Sequence, residues 1–359
     1  MDTNKNVAVL KNIRIKGELT DLKIENGKIA FIGRLDEEGI DFGGLKLYPG
    51  LIDIHSHGCL GYDVSDGDDS LGVMADYQLQ NGTTTWYPTT GTMSKEDVYR
   101  AVSRVLDIGH GANMPGYHME GPFLSPLKKG AHMEHFITTP KLDWIKECPL
   151  IKRVTVAPEL PGSKRFIEEC GIQVTLGHTD ADYDTAMGAF RAGASSLTHT
   201  YNAMKGIHHR APGPIGACMD SEGVYAELIC DGYHVHPSAV RMLIRIMGYD
   251  RIILVSDAMR STGMPDGVYE SIGITVYVTD GKTLTADGTI AGSTTLLFGC
   301  VKKAIEFGIP EETAVKMATE NPARLMGLNK GKIEVGYDAD FILVDDDFNL
   351  VKTIVRGEV

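Results

Sequence analysis

The sequence predicts a (β/α)8 barrel of the TIM-like α/β class, with a small β-sandwich domain formed by both chain ends. Three observations predict it. The middle of the chain holds eight short apolar runs, most of them separated by helix-like stretches. Both ends show strand patterns instead. Six imidazole or carboxylate side chains sit where those apolar runs stop, which is where barrel enzymes build their sites.

At the N-terminal end, residues 19–33 (LTDLKIENGKIAFIG) alternate apolar and polar positions around Asn26-Gly27, a hairpin signal. Residues 338–359 again read as strands. Neither end can bury a core alone, so residues 1–48 and 334–359 are expected to form one small β domain beside a barrel spanning 49–333. The eight barrel strands are Leu51–His57, Thr83–Pro88, Gly116–Glu120, Arg153–Pro158, Gln173–His178, Ser195–His199, Tyr225–Asp231 and Ile252–Asp257. They are apolar rather than alternating, as expected of a parallel sheet covered on both faces. Helices are expected over Ser94–His110, Asp182–Ala192 and Pro237–Met247. A β-hairpin over Gly273–Gly292, with turns at Asp280-Gly281 and Asp287-Gly288, follows the eighth strand. Two closing helices, Thr294–Glu306 and Pro310–Leu325, complete the barrel.

Bulk properties narrow the function. The 359 residues suit one large domain and one small one. No apolar run approaches the ~18 residues a membrane span needs, and the first residues lack the apolar stretch of a secretory signal. The six cysteines lack CxxC spacing and read as reduced thiols, which fits the cytoplasm. Acidic residues outnumber basic ones, 48 to 35, for a formal charge of -13. That balance argues against nucleic-acid binding and requires any anionic substrate to find a local cationic pocket.

The chemistry collects at strand ends. His55 and His57 end the first strand, Glu120 the third, His178 the fifth, His199 the sixth and Asp257 the eighth. Singly, each has an ordinary explanation: paired histidines occur on surfaces, a lone Glu is usually solvated, a lone His is often a satisfied core residue. Together they place imidazole and carboxylate donors at one end of one barrel, and such donors suit a divalent transition metal, zinc or iron. His55 and His57 are two residues apart and so share a strand face. His132 and His234 lie just beyond the third and seventh strands. The run His208-His209-Arg210 is a cationic patch in an acidic chain, readable as a solvated loop or as an anion clamp. Cys59, beside the histidine pair, reads as a packing residue.

At this point the chain resembles the N-acetylglucosamine-6-phosphate deacetylases of the amidohydrolase superfamily. The resemblance is carried by Pro49-Gly-Leu-Ile-Asp-Ile-His-Ser-His-Gly58, Gly82-Thr-Thr-Thr85, Glu120-Gly-Pro-Phe123, Lys129-Gly-Ala-His132 and Leu176-Gly-His-Thr179. It continues through Thr198-His-Thr-Tyr-Asn-Ala-Met204, Asp231-Gly-Tyr-His-Val235, Val255-Ser-Asp-Ala-Met259 and Ala291-Gly-Ser-Thr294, covering nearly the whole chain. The histidine pair is superfamily-wide; Glu-Gly-Pro-Phe with His-Thr-Tyr-Asn-Ala-Met is more specific.

The resemblance implies that Glu120, His178 and His199 hold the main metal and that Asp257 is the catalytic acid/base. It implies substrate contacts from Ala131, His132, Asn202, Ala203, Arg210 and His234, with Ile290 and Ala291 nearby. It also implies a homodimer in which Arg210 reaches the neighbouring chain's substrate. Some members carry HxN on the first strand and one metal, others HxH and two; this chain has HxH, which leaves a second metal on His55 and His57 open. No lysine ends the fourth strand to bridge two metals, so Glu120 would do so. The implied reaction is hydrolysis of the acetamide of N-acetyl-D-glucosamine 6-phosphate in amino-sugar catabolism. The alternatives are an N-acetylgalactosamine-6-phosphate deacetylase, another amidohydrolase such as a cyclic amidase, or a non-catalytic scaffold, which should lack several of these ligands.

Overall fold

The computed structural model describes residues 7–359 apart from 68, 105 and 272. Residues 1–6 of the expected end domain and residue 105 of the expected helix over 94–110 therefore lie outside the described residues.

Eight parallel strands pair in chain order. They are Leu51–Ser56, Thr83–Thr90, Tyr117–Glu120, Ile151–Val156, Gln173–Leu176, Ser196–Leu197, Tyr225–Ile229 and Ile252–Val255. The ring closes between its first and last members. The Asp257 N–H donates to the His55 carbonyl at 2.9 Å, and the His57 N–H to the Ala258 carbonyl at 2.8 Å. Below them the Ser256 hydroxyl donates to the buried Asp53 carboxylate at 2.5 Å. Seam and site thus share residues.

Local chemistry sets the helices. Ser94 caps Lys95–Val102 by accepting the Asp97 N–H at 3.1 Å, and Asp182 caps Tyr183–Ala192 by accepting the Thr185 N–H at 2.8 Å. Pro237 opens Pro237–Met247, where its missing N–H costs nothing. The first of these is shorter than expected. After Val102 the chain turns so that the Arg104 guanidinium meets the carbonyls of Asp66 and Gly67 at 2.8 and 2.9 Å, and Gly109 and Gly111 take positive φ.

The expected closing helix over Pro310–Leu325 is two helices, Glu311–Met317 and Glu320–Met326. Pro322 explains the break. A continuous helix would need its absent N–H to bond the Ala318 carbonyl; that carbonyl instead accepts the Ile52 N–H of the first barrel strand at 2.9 Å. The expected hairpin over Gly273–Gly292 is a four-stranded meander, Gly267–Ser271, Ile274–Thr279, Lys282–Thr285 and Ile290–Ser293. Its first strand lacks the apolar weight that would have marked it.

The chain ends form one seven-stranded sheet that pairs Phe341–Val344 with Lys46–Pro49. Its strands share a core of Leu10, Ile13, Leu22, Ile24, Phe341 and Leu343 among others. Asn26 and Gly27 sit in the hairpin turn with φ of 53° and 73°, as a two-residue turn of this hand requires. Strand Lys46–Pro49 runs through Gly50 into the first barrel strand. A Cβ at Gly50 would lie 2.2 Å from the Thr84 side chain, so only glycine fits the junction that leads to His55.

Candidate active site

Glu120 is the hub at the C-terminal end of the barrel. Its Oε1 lies 3.1 Å from His199 Nε2 and 3.3 Å from His178 Nε2. Its Oε2 lies 3.0 Å from His57 Nε2, 3.3 Å from His55 Nε2 and 3.4 Å from His132 Nε2. One carboxylate therefore serves two groups of donors, His55–His57–Glu120 and Glu120–His178–His199, each with its donor atoms within 4.8 Å of one another. Asp257 Oδ1 closes the first group, 3.3 Å from His57 Nε2 and 3.5 Å from His55 Nε2. All seven side chains are buried.

These donors fit a cation. The Nε2 atoms of His178 and His199 face each other at 3.0 Å while both point at Glu120 Oε1. One N–H between them serves a single contact; a cation accepts all three lone pairs. His55 Nε2 is buried without a hydrogen-bond partner. The electrostatics agree. Burial pushes the Glu120 carboxyl up, but His55, His132 and His178 hold it well below the usual range. Burial likewise raises Asp257, and His55 and His57 bring it down to about 2. Burial pushes His57 down, yet Asp257 and Glu120 pull it up to about 9, so two anionic carboxylates demand positive charge at this spot.

Backbone and outer contacts aim the donors. His178, His199 and Asp257 all take left-handed φ, 47°, 28° and 48°, where non-glycine residues are strained by roughly 1 kcal/mol or more each. His178 Nδ1 meets the Lys128 carbonyl at 2.9 Å, which leaves Nε2 free to ligate. Gly130, with φ +55°, lets this loop pass the ring: a Cβ there would sit 3.3 Å from His178 Cε1. The Thr92 N–H donates to His132 Nδ1 at 3.2 Å, so in its neutral form His132 carries its proton on Nε2, facing the site. His234 Nδ1 is held by Asp231 at 2.7 Å.

A cavity of about 320 Å³ opens above these groups. Ala131, His132, Asn202, Ala203, His234, Ile290 and Ala291 line it, together with His57, Glu120, His178, His199 and Asp257. His55 lies beneath. Arg210 does not line it: it sits in an exposed turn closed between His208 and Ala211, its guanidinium 2.7 Å from His209 Nε2. Tyr201, Met259 and Thr289 line the cavity too and were not singled out from the sequence; no chemical signal marked them. Two buried charges inside strands, Arg153 and Glu227, lie outside the sequence expectations as well, because nothing in the apolar runs around them tells which way they face.

Residues 47–359 match the model of the amidohydrolase family. The chain is 38% identical to an N-acetylglucosamine-6-phosphate deacetylase of Vibrio furnissii, over 93% of this chain and 89% of the relative. It is 33% identical to an N-acetylgalactosamine-6-phosphate deacetylase of Escherichia coli O157:H7, over 94% of each. Among solved structures it resembles the Mycobacterium smegmatis N-acetyl-D-glucosamine-6-phosphate deacetylase, as an aspartate-to-alanine mutant in complex with N-acetyl-D-glucosamine-6-phosphate. That match has a TM-score of 0.91 and 31% identity, covering 98% of each chain.

Proposed function

The chain belongs to the amidohydrolase family, and on that premise we propose that it hydrolyses the acetamide of N-acetyl-D-glucosamine 6-phosphate, releasing acetate and D-glucosamine 6-phosphate. The observation that carries this reading is the convergence of Glu120, four imidazoles and Asp257 at the floor of one sugar-sized cavity. Its volume lies near the lower end of small-ligand sites and suits a monosaccharide rather than a polymer.

Glu120, His178 and His199 would hold the main metal, with His55 and His57 holding a second through the other Glu120 oxygen. A divalent metal of the kind these donors favour, zinc or iron, supplies acidification of water and Lewis-acid polarisation of an amide carbonyl. Asp257 accepts the proton of the attacking water and returns it to the departing amine nitrogen. His132 presents its Nε2–H to the acetamide oxygen, where negative charge develops. Asn202, His234 and the backbone around Ala131, Ala203, Ile290 and Ala291 orient the sugar.

The phosphate needs a cation, and among the described residues the cavity lining contains neither lysine nor arginine. Arg210 is exposed and outside the cavity of its own chain, which supports a homodimer in which each Arg210 serves the neighbouring substrate. A cytoplasmic location fits a phosphorylated substrate. None of the described helices is long and apolar enough to cross a membrane.

The test is a panel of acetylated hexosamines in gluco and galacto forms, with and without 6-phosphate, assayed for acetate release by metal-loaded protein. N-acetylglucosamine 6-phosphate should be turned over fastest. Faster turnover of the galacto isomer would assign the other deacetylase activity. No hydrolysis of any phosphorylated member would overturn the reading.

A further inference from the structure

Beneath the metal-ligand cluster the barrel holds a buried ion pair among hydroxyl side chains. Arg153 of the fourth strand and Glu227 of the seventh are both fully buried and form an ion pair. Arg153 also donates to the Ser196 hydroxyl at 3.0 Å and to the Ile54 carbonyl at 3.3 Å, the residue just before His55. Glu227 Oε1, besides Arg153, accepts from the hydroxyls of Thr175 at 3.3 Å and Ser196 at 3.4 Å. Its Oε2 lies 3.5 Å from His55 Nδ1. The His118 ring packs edge-on against His55, centroids 4.7 Å apart, and is itself held by Thr155 at 2.9 Å.

A buried ion pair is a poor stabilising device, because desolvation offsets most of the attraction and apolar residues of similar volume do as well. Its geometry here has a more specific consequence. Glu227 accepts from His55 Nδ1–H, which fixes the tautomer whose Nε2 lone pair faces the site. Arg153 holds Glu227 and the backbone before His55 in place. His57 Nδ1 and His199 Nδ1 have no such partner among the described residues.

We propose that Glu227, held by Arg153, is a positioning residue for His55 and selectively sets the metal affinity of the His55–His57 side of the site. This rests on the reading that His55 and His57 hold a second cation. The main group of Glu120, His178 and His199 is oriented by other means, His178 by the Lys128 carbonyl, so the two sides of the site are tuned separately.

The experiment titrates apo-protein with zinc in a chelator-buffered series and reads zinc bound per chain, for the unsubstituted protein, Glu227→Gln, and the double variant Arg153→Met with Glu227→Leu. The double variant removes the buried charges together, so a folding defect from one orphaned charge cannot imitate the effect; thermal unfolding of each apo-protein is measured alongside. The unsubstituted protein should bind zinc in two phases. Both variants should lose about 10- to 100-fold in the weaker phase, the usual effect of removing an outer partner of a ligating histidine, with the tighter phase unchanged. Two unchanged phases in a folded double variant, or equal loss in both phases, would overturn the proposal and make the pair a packing element. A single phase in the unsubstituted protein would instead remove the second-cation reading beneath it.

Discussion

Two buried carboxylates show the difference between a group that holds the fold and a group that serves a site. Asp21, in the end domain, accepts the Asn12 N–H at 2.9 Å, the Leu35 N–H at 3.0 Å and the Lys11 ammonium at 2.9 Å. Its neighbours are all N–H donors, and its bonds are complete without any further species. Glu120 is as deeply buried, but five imidazole nitrogens converge on it within 3.4 Å, two of them facing each other. Protons cannot satisfy that many ring nitrogens at once, whereas a cation can. Burial alone identifies neither kind; what a carboxylate is surrounded by does.

The comparison breaks most sharply under chelation. Stripping divalent metal should reduce acetate release to background, and zinc or iron should restore it, while the end domain around Asp21 stays folded by circular dichroism. Rigorously metal-free protein with full activity would make the Glu120 cluster a second structural carboxylate site. Next in size is Asp257→Asn, which keeps the shape of the side chain but cannot take the water proton. We expect kcat to fall at least ~100-fold with metal content unchanged. Loss of metal along with activity would instead place Asp257 among the ligands.

The contrast also explains what the sequence discloses. Residues at strand ends are legible because an apolar run stops at a histidine or carboxylate, and the eight runs, His55, His57, Glu120, His178, His199 and Asp257 all follow from that rule. The bond network of Asp21 is not legible, since an acidic residue in an alternating strand reads as solvent-facing. Arg153 and Glu227 lie within strands and face the barrel axis, a direction that the run of apolar neighbours conceals. The helix break at Ala318 was readable from Pro322, three residues into the second helix, but only by counting back to the carbonyl it leaves unpaired. Asn202, in a loop, and Ile290, at the start of a meander strand, carried no physical signal of their own; the resemblance supplied them, and the cavity brings them together.

Arg210 lies between these extremes, an exposed charge outside the cavity of its own chain, which the proposed reading assigns to the neighbouring substrate. Arg210→Ala should lower kcat/KM for N-acetylglucosamine 6-phosphate by about 30- to 1,000-fold, the effect of losing ~2–4 kcal/mol of charged hydrogen bonding. Slow turnover of unphosphorylated N-acetylglucosamine should hardly change. Mixing separately inactive Arg210→Ala and Asp257→Asn chains, with subunit exchange, sharpens the test. Each mixed dimer then holds one site with an intact Asp257 and a neighbour's intact Arg210. Equal, random mixing should recover about a quarter of unsubstituted activity, since half the dimers are mixed and half their sites complete. No recovery despite exchange would place the phosphate contact within one chain.

The smallest effect belongs to Asp21 and should appear only in stability. Burial alone would raise its carboxyl, but the N–H groups of Asn12 and Leu35 and the Lys11 ammonium bring it down to about 2, below the ordinary 3.8. Because the folded value is the lower one, the unfolded chain binds the proton more readily between these pH values. Asp21 therefore contributes stability above pH ~4 that is lost as pH falls toward about 2. Asp21→Asn should cost on the order of 1–2 kcal/mol at pH 7 by urea unfolding, since a buried charged hydrogen-bond acceptor is replaced by a neutral one that also brings an unwanted donor. The difference between the two proteins should shrink on acidification through that window, while kcat at pH 7 stays the same. A pH-independent difference would mean that the loss comes from packing rather than from charge. A fall in kcat at unchanged metal content would show that the end sheet, which feeds the first barrel strand through Gly50, transmits strain to His55.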